Sequence, residues 1–291
     1  MILRSLLFAP GSHERHVSKA LSGPADGAII DLEDAVENGQ KPRARDATAA
    51  LLGDRSRSRT AFFVRVNGLT TPYAYEDITA VVRPGLDGVV LPKTESAHDV
   101  RIADWLMSQM ERQRGMEIGA IQLLPIVETA LGVAQMAEIA AASPRVARLT
   151  FGAGDFTLDT NMDWAPANEA VLAAKIKMLV ISRAAGLEPP LDTVFPNLGD
   201  LEGLRIEAEH ARRLGFQGKA CIHPAQVEIV NAVFTPSSAE VERARHLLAA
   251  FEAAVATGSA SIRVGDAFVD YPVAERARRI IALAASIRPS G

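Results

Sequence analysis

The sequence contains a single cysteine, Cys221, in 291 residues, so an internal disulfide framework is excluded. A lone thiol fits a reducing compartment, and its position within an apolar run predicts a buried, inert side chain. No apolar run approaches the roughly 20 residues that a membrane-spanning helix needs. The apolar start, MILRSLLFAPG, is too short for a signal peptide. We therefore expect a cytoplasmic protein with no membrane partner.

The chain also lacks a positive charge excess and the glycine-rich motifs of nucleotide-binding folds. Its formal net charge is −4, which gives no reason to expect a nucleic-acid partner. Neither GxGxxG nor GxxxxGK[ST] occurs, although one of them normally accompanies an open, doubly wound sheet. The hydrophobic content of 48% is ordinary for a globular protein, and the length allows one large core.

What the chain does contain is a recurring unit of a short apolar run, a loop and an amphipathic helical stretch. The runs are continuous rather than alternating, as in strands buried on both faces. They cover residues 3–8, 27–31, 61–66, 87–91, 121–127, 148–151, 191–195 and 219–222. Eight such units predict an α/β fold, a parallel (β/α)8 TIM barrel, with the doubly wound sheet as the alternative.

The longest helical patterns between these runs cover residues 99–113 and 165–185. After residue 235 the pattern changes, which predicts a barrel in residues 1–235 and a C-terminal helical extension in residues 236–291. Three signals mark the extension: a capping box at Ser237 and Glu240, a hairpin turn at Gly265 and Asp266, and a helix with Pro272 at its first position.

Two carboxylates follow neighbouring strands at the edge where a barrel of this kind carries its active site. Glu128 ends the fifth run, and Asp155 follows the sixth. Hard divalent cations such as Mg²⁺ take oxygen ligands, often one or two carboxylates completed by water and substrate. The sequence therefore predicts a Mg²⁺ site at Glu128 and Asp155. The alternatives are a helix N-terminal acid for Glu128 and a turn residue for Asp155.

Charged side chains end other runs as well. Arg65 lies inside an apolar run, where an unpaired charge is costly, so it needs a carboxylate from the substrate or the protein. Glu33 and Asp34 are placed to orient it, and a purely structural ion pair is the alternative. Lys93 ends the fourth run, where the alternative to a functional role is a salt bridge at the barrel rim.

The remaining polar candidates have simpler interpretations. His223 is typical of a rim histidine, and Asp270 is placed to cap the last helix. Arg43 and Arg45 most simply form a solvated helix face.

These residues belong to seven motifs that occur in order. The motifs are RSLLFAPG at residues 4–11, DLEDAV at 31–36 followed by KPRAR at 41–45, VRVN at 64–67, LPKTES at 91–96, PIVET at 125–129, FGAGD at 151–155 and GKACIHPAQV at 218–227. Together they resemble the citrate lyase beta-subunit-like branch of the HpcH/HpaI aldolase superfamily. The resemblance extends from residue 4 to about residue 280.

The resemblance implies a (β/α)8 barrel with a C-terminal helical extension, assembled as a homotrimer or homohexamer. It implies that Glu128 and Asp155 bind Mg²⁺, that Arg65 holds substrate oxygen atoms, and that Glu33 with Asp34 supports the site. We also place Lys93 among the substrate-binding residues. The stretch AFVDYP is similar to a lid motif that supplies a catalytic aspartate, here Asp270, although residues 266–268 are Asp-Ala-Phe where the family has Gly-Lys-Met.

Position 34 separates two branches of the superfamily. The free-acid aldolases carry a catalytic histidine in an Asp-x-Glu-His motif, and this chain has Asp34 instead. The expected reaction is therefore cleavage of a 3-hydroxy-acyl thioester, such as malyl-CoA or citramalyl-CoA, to acetyl-CoA and a 2-oxo acid. The alternatives are an aldolase acting on free 2-oxo acids and a citrate lyase beta subunit that needs an acyl-carrier partner.

Overall fold

The protein is described by a computed structural model that covers residues 1–53, 60–164 and 169–287. Eight parallel strands close into a barrel, each pairing with the next and the last with the first. The strands are β1 (Ser5–Pro10), β2 (Gly27–Asp31), β3 (Ala61–Arg65), β4 (Gly88–Leu91), β5 (Gln122–Val127), β6 (Thr150–Phe151), β7 (Leu191–Asp192) and β8 (Gly218–Cys221). The predicted TIM barrel is confirmed, and the doubly wound alternative is wrong.

Helices connect and follow the strands, as the alternating pattern predicts. They are α1 (Glu14–Ser22), α2 (Lys41–Gly53), α3 (Ala74–Val81), α4 (Ala97–Gln113), α5 (Ala130–Ala134), α6 (Met136–Ala140), α7 (Ala153–Asp159), α8 (Glu169–Ala184), α9 (Leu201–Leu214) and α10 (Pro224–Phe234). The predicted helix at 165–185 corresponds to α8, and residues 165–168 lie outside the described part of the chain. The short 3-10 turn Asn38–Gln40 precedes α2.

Alternate strand residues point into the barrel. They supply both its apolar core and the charged side chains at the carboxyl ends of the strands. The apolar core contains Leu3, Leu6, Ile29, Ala61, Phe63, Val90, Leu124, Ile126 and Leu191. Because side chains alternate along a strand, the rows that carry this core continue, two residues on, with Asp31, Arg65 and Glu128. The same alternation thus puts an apolar plug inside the barrel and converging charges at the carboxyl ends of its strands.

Phe63 fits inside the barrel because a glycine lies beside it. A Cβ atom added to Gly88 would lie 2.7 Å from two atoms of the Phe63 ring. We expect Gly88→Ala to lower the free energy of unfolding by about 1–3 kcal/mol, since the added methyl group would displace a fully buried ring. Urea unfolding measures this, and adding Phe63→Leu should recover part of the loss. Full stability in Gly88→Ala alone would contradict the packing.

The chain divides into two compact units, residues 3–232 and residues 233–291 with residues 1–2. The second unit contains α11 (Ser238–Ala256), the hairpin β9 (Ile262–Val264) and β10 (Ala267–Val269), and α12 (Tyr271–Ser286). Phe251, Val269 and Ala274 form its core. The predicted C-terminal helices are confirmed, whereas the division into domains at residue 235 stays a prediction. Within the described residues, no helix is both long and apolar enough to cross a membrane.

The local signals of the second unit are confirmed with one shift. Ser237 and Glu240 form the predicted capping box, in which each side chain accepts a hydrogen bond from the other residue's backbone N–H. The hairpin turns at Gly265 and Asp266, as predicted. Pro272 is the second residue of α12 rather than the first, since Tyr271 precedes it in the helix.

The prediction of a solvated face on α2 is wrong for Arg45. Arg43 is exposed, but Arg45 is buried, in ion-pair contact with Glu76 and with Asp77 at 3.8 Å. The acids come from α3, which packs beside α2, so the sequence of α2 alone does not reveal them. Burial of this arginine follows from partners about 31 residues away along the chain.

Candidate active site

Arg65 is held at the end of β3 by two carboxylates. Asp31 faces it across the β2–β3 pair and accepts two hydrogen bonds, from Nε at 2.7 Å and from Nη2 at 2.6 Å. Glu33 Oε2 lies 3.0 Å from Nη1, and the centroid of the Phe8 ring is 5.0 Å from the guanidinium. Burial opposes the charge, but Asp31 and Glu33 outweigh it and raise the Arg65 pKa. The guanidinium is therefore both fixed and charged.

Lys93 connects this cluster to Glu128. Its φ of 46° lies in the left-handed region, which is uncommon for a residue with a Cβ. The backbone N–H donates to Glu128 Oε1 at 2.7 Å, while Nζ contacts Glu33 at 2.7 Å and Asp34 at 3.3 Å. Burial lowers the pKa of the ammonium, but Glu33 and Asp34 more than compensate and raise it. A lysine kept protonated in this way is unsuited to Schiff-base chemistry.

The structure separates the two acids that the sequence predicts to orient Arg65. Glu33 is 5% exposed and contacts both Arg65 and Lys93. Burial raises the pKa of Glu33, although both cations oppose the rise. Asp34 is largely exposed, and its contact in the described part of the chain is with Lys93. The closest partner of Arg65, Asp31, is one that the motif analysis does not single out as a site residue.

The two predicted metal ligands lie close enough for the charge of Asp155 to act on Glu128. Glu128 follows β5 with 3% exposure, and Asp155 lies in the first turn of α7. A Cβ atom on Gly152 would overlap the Glu128 carboxylate, so only glycine lets the chain pass this close. Burial raises the pKa of Glu128 to about 8, and the charges of Asp155 and Glu33 add to the rise.

The chemistry of this pair fits a divalent cation. Among residues 1–53, 60–164 and 169–287, neither Glu128 nor Asp155 forms an ion pair, because Arg65 and Lys93 are paired with other acids. No group of three or more His, Cys, Asp or Glu side chains in the same residues is arranged to hold a metal ion. A cation here would rely on two carboxylates completed by water or substrate, as Mg²⁺ often does.

The metal-free protein should lose stability as the pH rises from about 5 to 8. The Glu128 pKa of about 8 exceeds the ordinary value of 4.5, so in this window the folded state binds a proton that the unfolded chain has released. Raising the pH therefore favours unfolding. Melting temperatures in EDTA measure the slope, and Glu128→Gln should flatten it. An equal slope in both proteins would contradict the assignment.

Buried side chains hold the loop that carries Glu33. Lys41 Nζ donates to the carbonyl oxygens of Leu32 at 3.0 Å and Glu33 at 2.7 Å, and to Asn67 Oδ1 at 2.7 Å. Asn67 in turn donates from Nδ2 to the Leu32 carbonyl at 2.8 Å and to Asp77. Sequence reasoning misses this role of Lys41, and the only signal is its position within the KPRAR motif.

The remaining candidates behave as their simpler interpretations predict. Asp270 belongs to the second unit, where its Oδ1 accepts a hydrogen bond from the Val273 N–H at 3.2 Å and caps α12. His223 is exposed after β8, and its Nδ1 accepts from the Ala225 N–H at 3.2 Å. Cys221 is buried, and burial raises the pKa of its thiol to about 12.

Comparison with known proteins identifies the family of the chain. Residues 4–224 match the HpcH/HpaI aldolase/citrate lyase family. The chain belongs to this family. Residues 178–282 also match the C–C bond lyases of the TIM-barrel fold. The resemblance carried by the seven motifs is therefore confirmed, and the protein is an enzyme of the carbon–carbon lyase type.

Individual family members align with the chain over nearly its whole length. Citrate lyase subunit beta of Leuconostoc mesenteroides subsp. cremoris is 37% identical over 97% of this chain and 93% of that protein. A (3S)-malyl-CoA thioesterase of Cereibacter sphaeroides is 38% identical over 99% and 96% of the two chains. Protein CitE from Mycobacterium tuberculosis, solved with magnesium, acetoacetate and coenzyme A, is 29% identical with a TM-score of 0.79, over 98% and 99%.

Proposed function

We propose that this family member is a Mg²⁺-dependent lyase that cleaves a 3-hydroxy-acyl thioester of the malyl-CoA or citramalyl-CoA type to acetyl-CoA and a 2-oxo acid. The observation that carries the proposal is the pair Glu128 and Asp155 beside a fixed, charged Arg65. The relatives support it, since one is named for (3S)-malyl-CoA and another binds magnesium, acetoacetate and coenzyme A.

Glu128 and Asp155 are the proposed metal ligands. When bound, Mg²⁺ supplies Lewis-acid polarisation of the substrate's hydroxy-acid oxygens and orients them. The Lys93 backbone N–H holds Glu128 through Oε1, and Gly152 makes room for Oε2. The protein thus fixes the carboxylate before substrate arrives, which lowers the reorganisation that binding requires.

Arg65 is proposed to stabilise the thioester enolate. A guanidinium has five N–H donors, and two of them, on Nε and Nη2, donate to Asp31. Nη1 is in ion-pair contact with Glu33 at 3.0 Å but donates no hydrogen bond to it. N–H groups on both terminal nitrogens are therefore left for substrate oxygen. Positive charge held at this point stabilises the negative charge that develops on the thioester oxygen. Glu33 and Asp34 support the site through Arg65 and Lys93, and the Lys93 ammonium contributes to substrate binding.

The bond changes are those of a retro-Claisen cleavage. The bond between the carbinol carbon and the thioester α-carbon breaks, and its electron pair stays with the thioester fragment as an enolate. The hydroxyl oxygen becomes the oxo group and its proton passes to solvent, while the enolate carbon gains a proton from a donor that solvent then reprotonates. No proton is consumed overall. Asp270 is the proposed proton donor.

Asp270→Asn should abolish turnover without unfolding the C-terminal unit. Asparagine caps helices about as well as aspartate, so the bond to the Val273 N–H is kept while the carboxyl group is lost. Binding of Mg²⁺ and of a 2-oxo acid should persist, as calorimetry can show. Full activity in this variant would remove Asp270 from the mechanism.

Thioester hydrolysis is the second candidate, favoured by the 38% identical (3S)-malyl-CoA thioesterase. A third outcome is a citrate lyase beta subunit that needs its carrier protein, as the 37% identical relative suggests. The fourth, an aldolase acting on free 2-oxo acids, is disfavoured by Asp34. The homotrimer or homohexamer implied by the resemblance stays a prediction, which sedimentation analysis can test.

The deciding experiment offers the purified protein malyl-CoA and citramalyl-CoA with Mg²⁺, with EDTA as the control. Glyoxylate or pyruvate is trapped, and free CoA is followed separately. Metal-dependent release of an oxo acid with acetyl-CoA supports the lyase and identifies the substrate. Free CoA without oxo acid means hydrolysis. No reaction with either thioester overturns the proposal and directs attention to free hydroxy-oxo acids or to an acyl-carrier substrate.

A further inference from the structure

We propose that Asp159 and Thr193 are positioning residues that set the spacing of the two metal-binding carboxylates and thereby the affinity for a divalent cation. The inference rests on the proposed metal site at Glu128 and Asp155. Neither residue belongs to the seven motifs. Asp159 accepts a hydrogen bond from the backbone of the segment that follows Glu128. Thr193 accepts one from the backbone of the helix that carries Asp155.

Asp155 depends on a helix that cannot position itself. It lies on α7, which has seven residues and follows the two-residue strand β6. So short a helix is marginal on its own in water. Its N-cap is Gly152, which has no side chain to satisfy the first N–H groups. The place of Asp155 in the site is therefore decided by whatever anchors α7.

Thr193 anchors the start of α7. It follows β7 and is 4% exposed, and its Oγ1 accepts a hydrogen bond from the Ala153 N–H at 2.9 Å. Ala153 is the first residue of α7, two positions before Asp155. The hydroxyl supplies the cap that Gly152 lacks, and it ties the helix to a strand on the far side from β5.

Asp159 anchors the other end of α7. Its Oδ2 accepts a hydrogen bond from the Ala130 N–H at 2.7 Å. Ala130 begins α5, two residues after Glu128, while Asp159 lies four residues after Asp155 on the same helix. Residues four apart share a helix face. This bond therefore joins the segment that carries Glu128 directly to the helix that carries Asp155.

The two anchors act on the metal pair from opposite ends of α7. Without either, the helix can shift relative to β5, and the distance between the two carboxylates changes with it. Mg²⁺ demands near-ideal octahedral geometry and tolerates such shifts poorly. Removing a residue that supports a metal ligand through a hydrogen bond typically lowers metal affinity by about 10–100-fold.

Metal affinity tests this role without relying on turnover. The chain has two tryptophans, and the ring of Trp164 lies against Gly154 beside Asp155. In a Trp105→Phe background, Trp164 fluorescence titrated with Mn²⁺ reports binding. We expect Asp159→Ala and Thr193→Val to raise the dissociation constant by about 10–100-fold. Asp159→Asn and Thr193→Ser keep an acceptor oxygen, so their affinities should stay near that of the parent.

Three comparisons keep the result decisive. Asp200→Ala removes a similar cap hydrogen bond, from the Gly203 N–H at 2.8 Å, and should leave Mn²⁺ affinity unchanged. Asp159 is exposed, so its alanine variant decides the matter even where Thr193→Val fails to fold. Equal weakening in Asp159→Asn and Asp159→Ala would indicate a charge effect and overturn the positioning role.

Failure of the inference can be told apart from failure of the metal site. Loss of Mn²⁺ binding in Glu128→Gln, with parental affinity in Asp159→Ala and Thr193→Val, would leave the metal site standing and overturn the inference alone. Absence of Mn²⁺ binding in the parent protein would overturn both. Weakening in the alanine and valine variants with rescue by asparagine and serine supports the proposal.

Discussion

Replacing Glu128 with glutamine should reduce metal-dependent turnover by about a thousandfold, which corresponds to several kcal/mol of lost transition-state stabilisation. The amide keeps the shape of the side chain and an oxygen for the Lys93 N–H, but it removes one of the two proposed anionic ligands. Because burial already disfavours the Glu128 carboxylate, the metal-free variant should be at least as stable as the parent near pH 8. Steady-state kinetics, Mg²⁺ calorimetry and melting temperatures measure the three effects.

Glu111→Gln is the matched control for Glu128→Gln. Glu111 is also a buried glutamate, but it forms an ion pair with Arg145 in a different part of the barrel. Its amide variant should melt at a lower temperature while binding Mg²⁺ normally. Unchanged Mg²⁺ affinity in Glu128→Gln would contradict the ligand assignment, whatever happens to activity.

Arg65→Met should lose both activity and stability. Removing the guanidinium leaves the buried Asp31 carboxylate without its ion-pair partner, which typically costs about 3–5 kcal/mol, whereas Glu33 keeps its contact with Lys93. Loss of the charge that faces the developing enolate should lower kcat by about 100–1,000-fold. Arg65→Lys keeps a charge without the planar fork that binds Asp31 at two atoms, so it should be impaired in both respects but less severely.

A double variant separates the two effects of Arg65. Adding Asp31→Asn to Arg65→Met removes the unpaired charge beside the vacated position, so the free energy of unfolding should recover in part. Activity should not recover, because the positive charge that stabilises the developing enolate is still missing. Recovery of activity together with stability would mean that Arg65 has only a structural role.

Much of the fold is predictable because burial on both faces makes most barrel strands apolar runs. The exceptions are β7 and β8, which carry the buried ion pair of Asp192 and Lys219. The limits appear at β6 and β7, which have two residues each where the runs cover 148–151 and 191–195. Apolar runs report burial rather than strand pairing. Phe195, for example, is 2% exposed although it lies beyond the end of β7. The runs therefore locate the strands well and their ends poorly.

Individual residues of the candidate site are predictable where their place at the end of a strand is enough to identify them. Their partners are not predictable in this way. Arg65 and Glu128 occupy inward positions two residues beyond core side chains, so their convergence follows from strand alternation. The partnership of Arg65 with Asp31 requires the register of β2 and β3, which the sequence does not state.

The supporting groups around the site are harder to predict for a related reason. Lys41 reaches Asn67, and Asp159 reaches Ala130, each across a gap of many residues. Lysine at the start of a helix and aspartate at its end are typical solvated residues, so composition and periodicity indicate no specific hydrogen-bond partner for either. Only the closed barrel brings their backbone and side-chain partners within hydrogen-bonding distance.

An anomalous-scattering measurement on a crystal grown with Mn²⁺ and a 2-oxo acid tests the metal site most directly. We expect an anomalous peak with carboxylate oxygens of Glu128 and Asp155 about 2.1 Å away, and the oxo acid on the side that faces Arg65. The same crystal of Glu128→Gln should show no such peak. A strong Mn²⁺ peak at other residues, with none between Glu128 and Asp155, would show that these two carboxylates do not hold the metal ion.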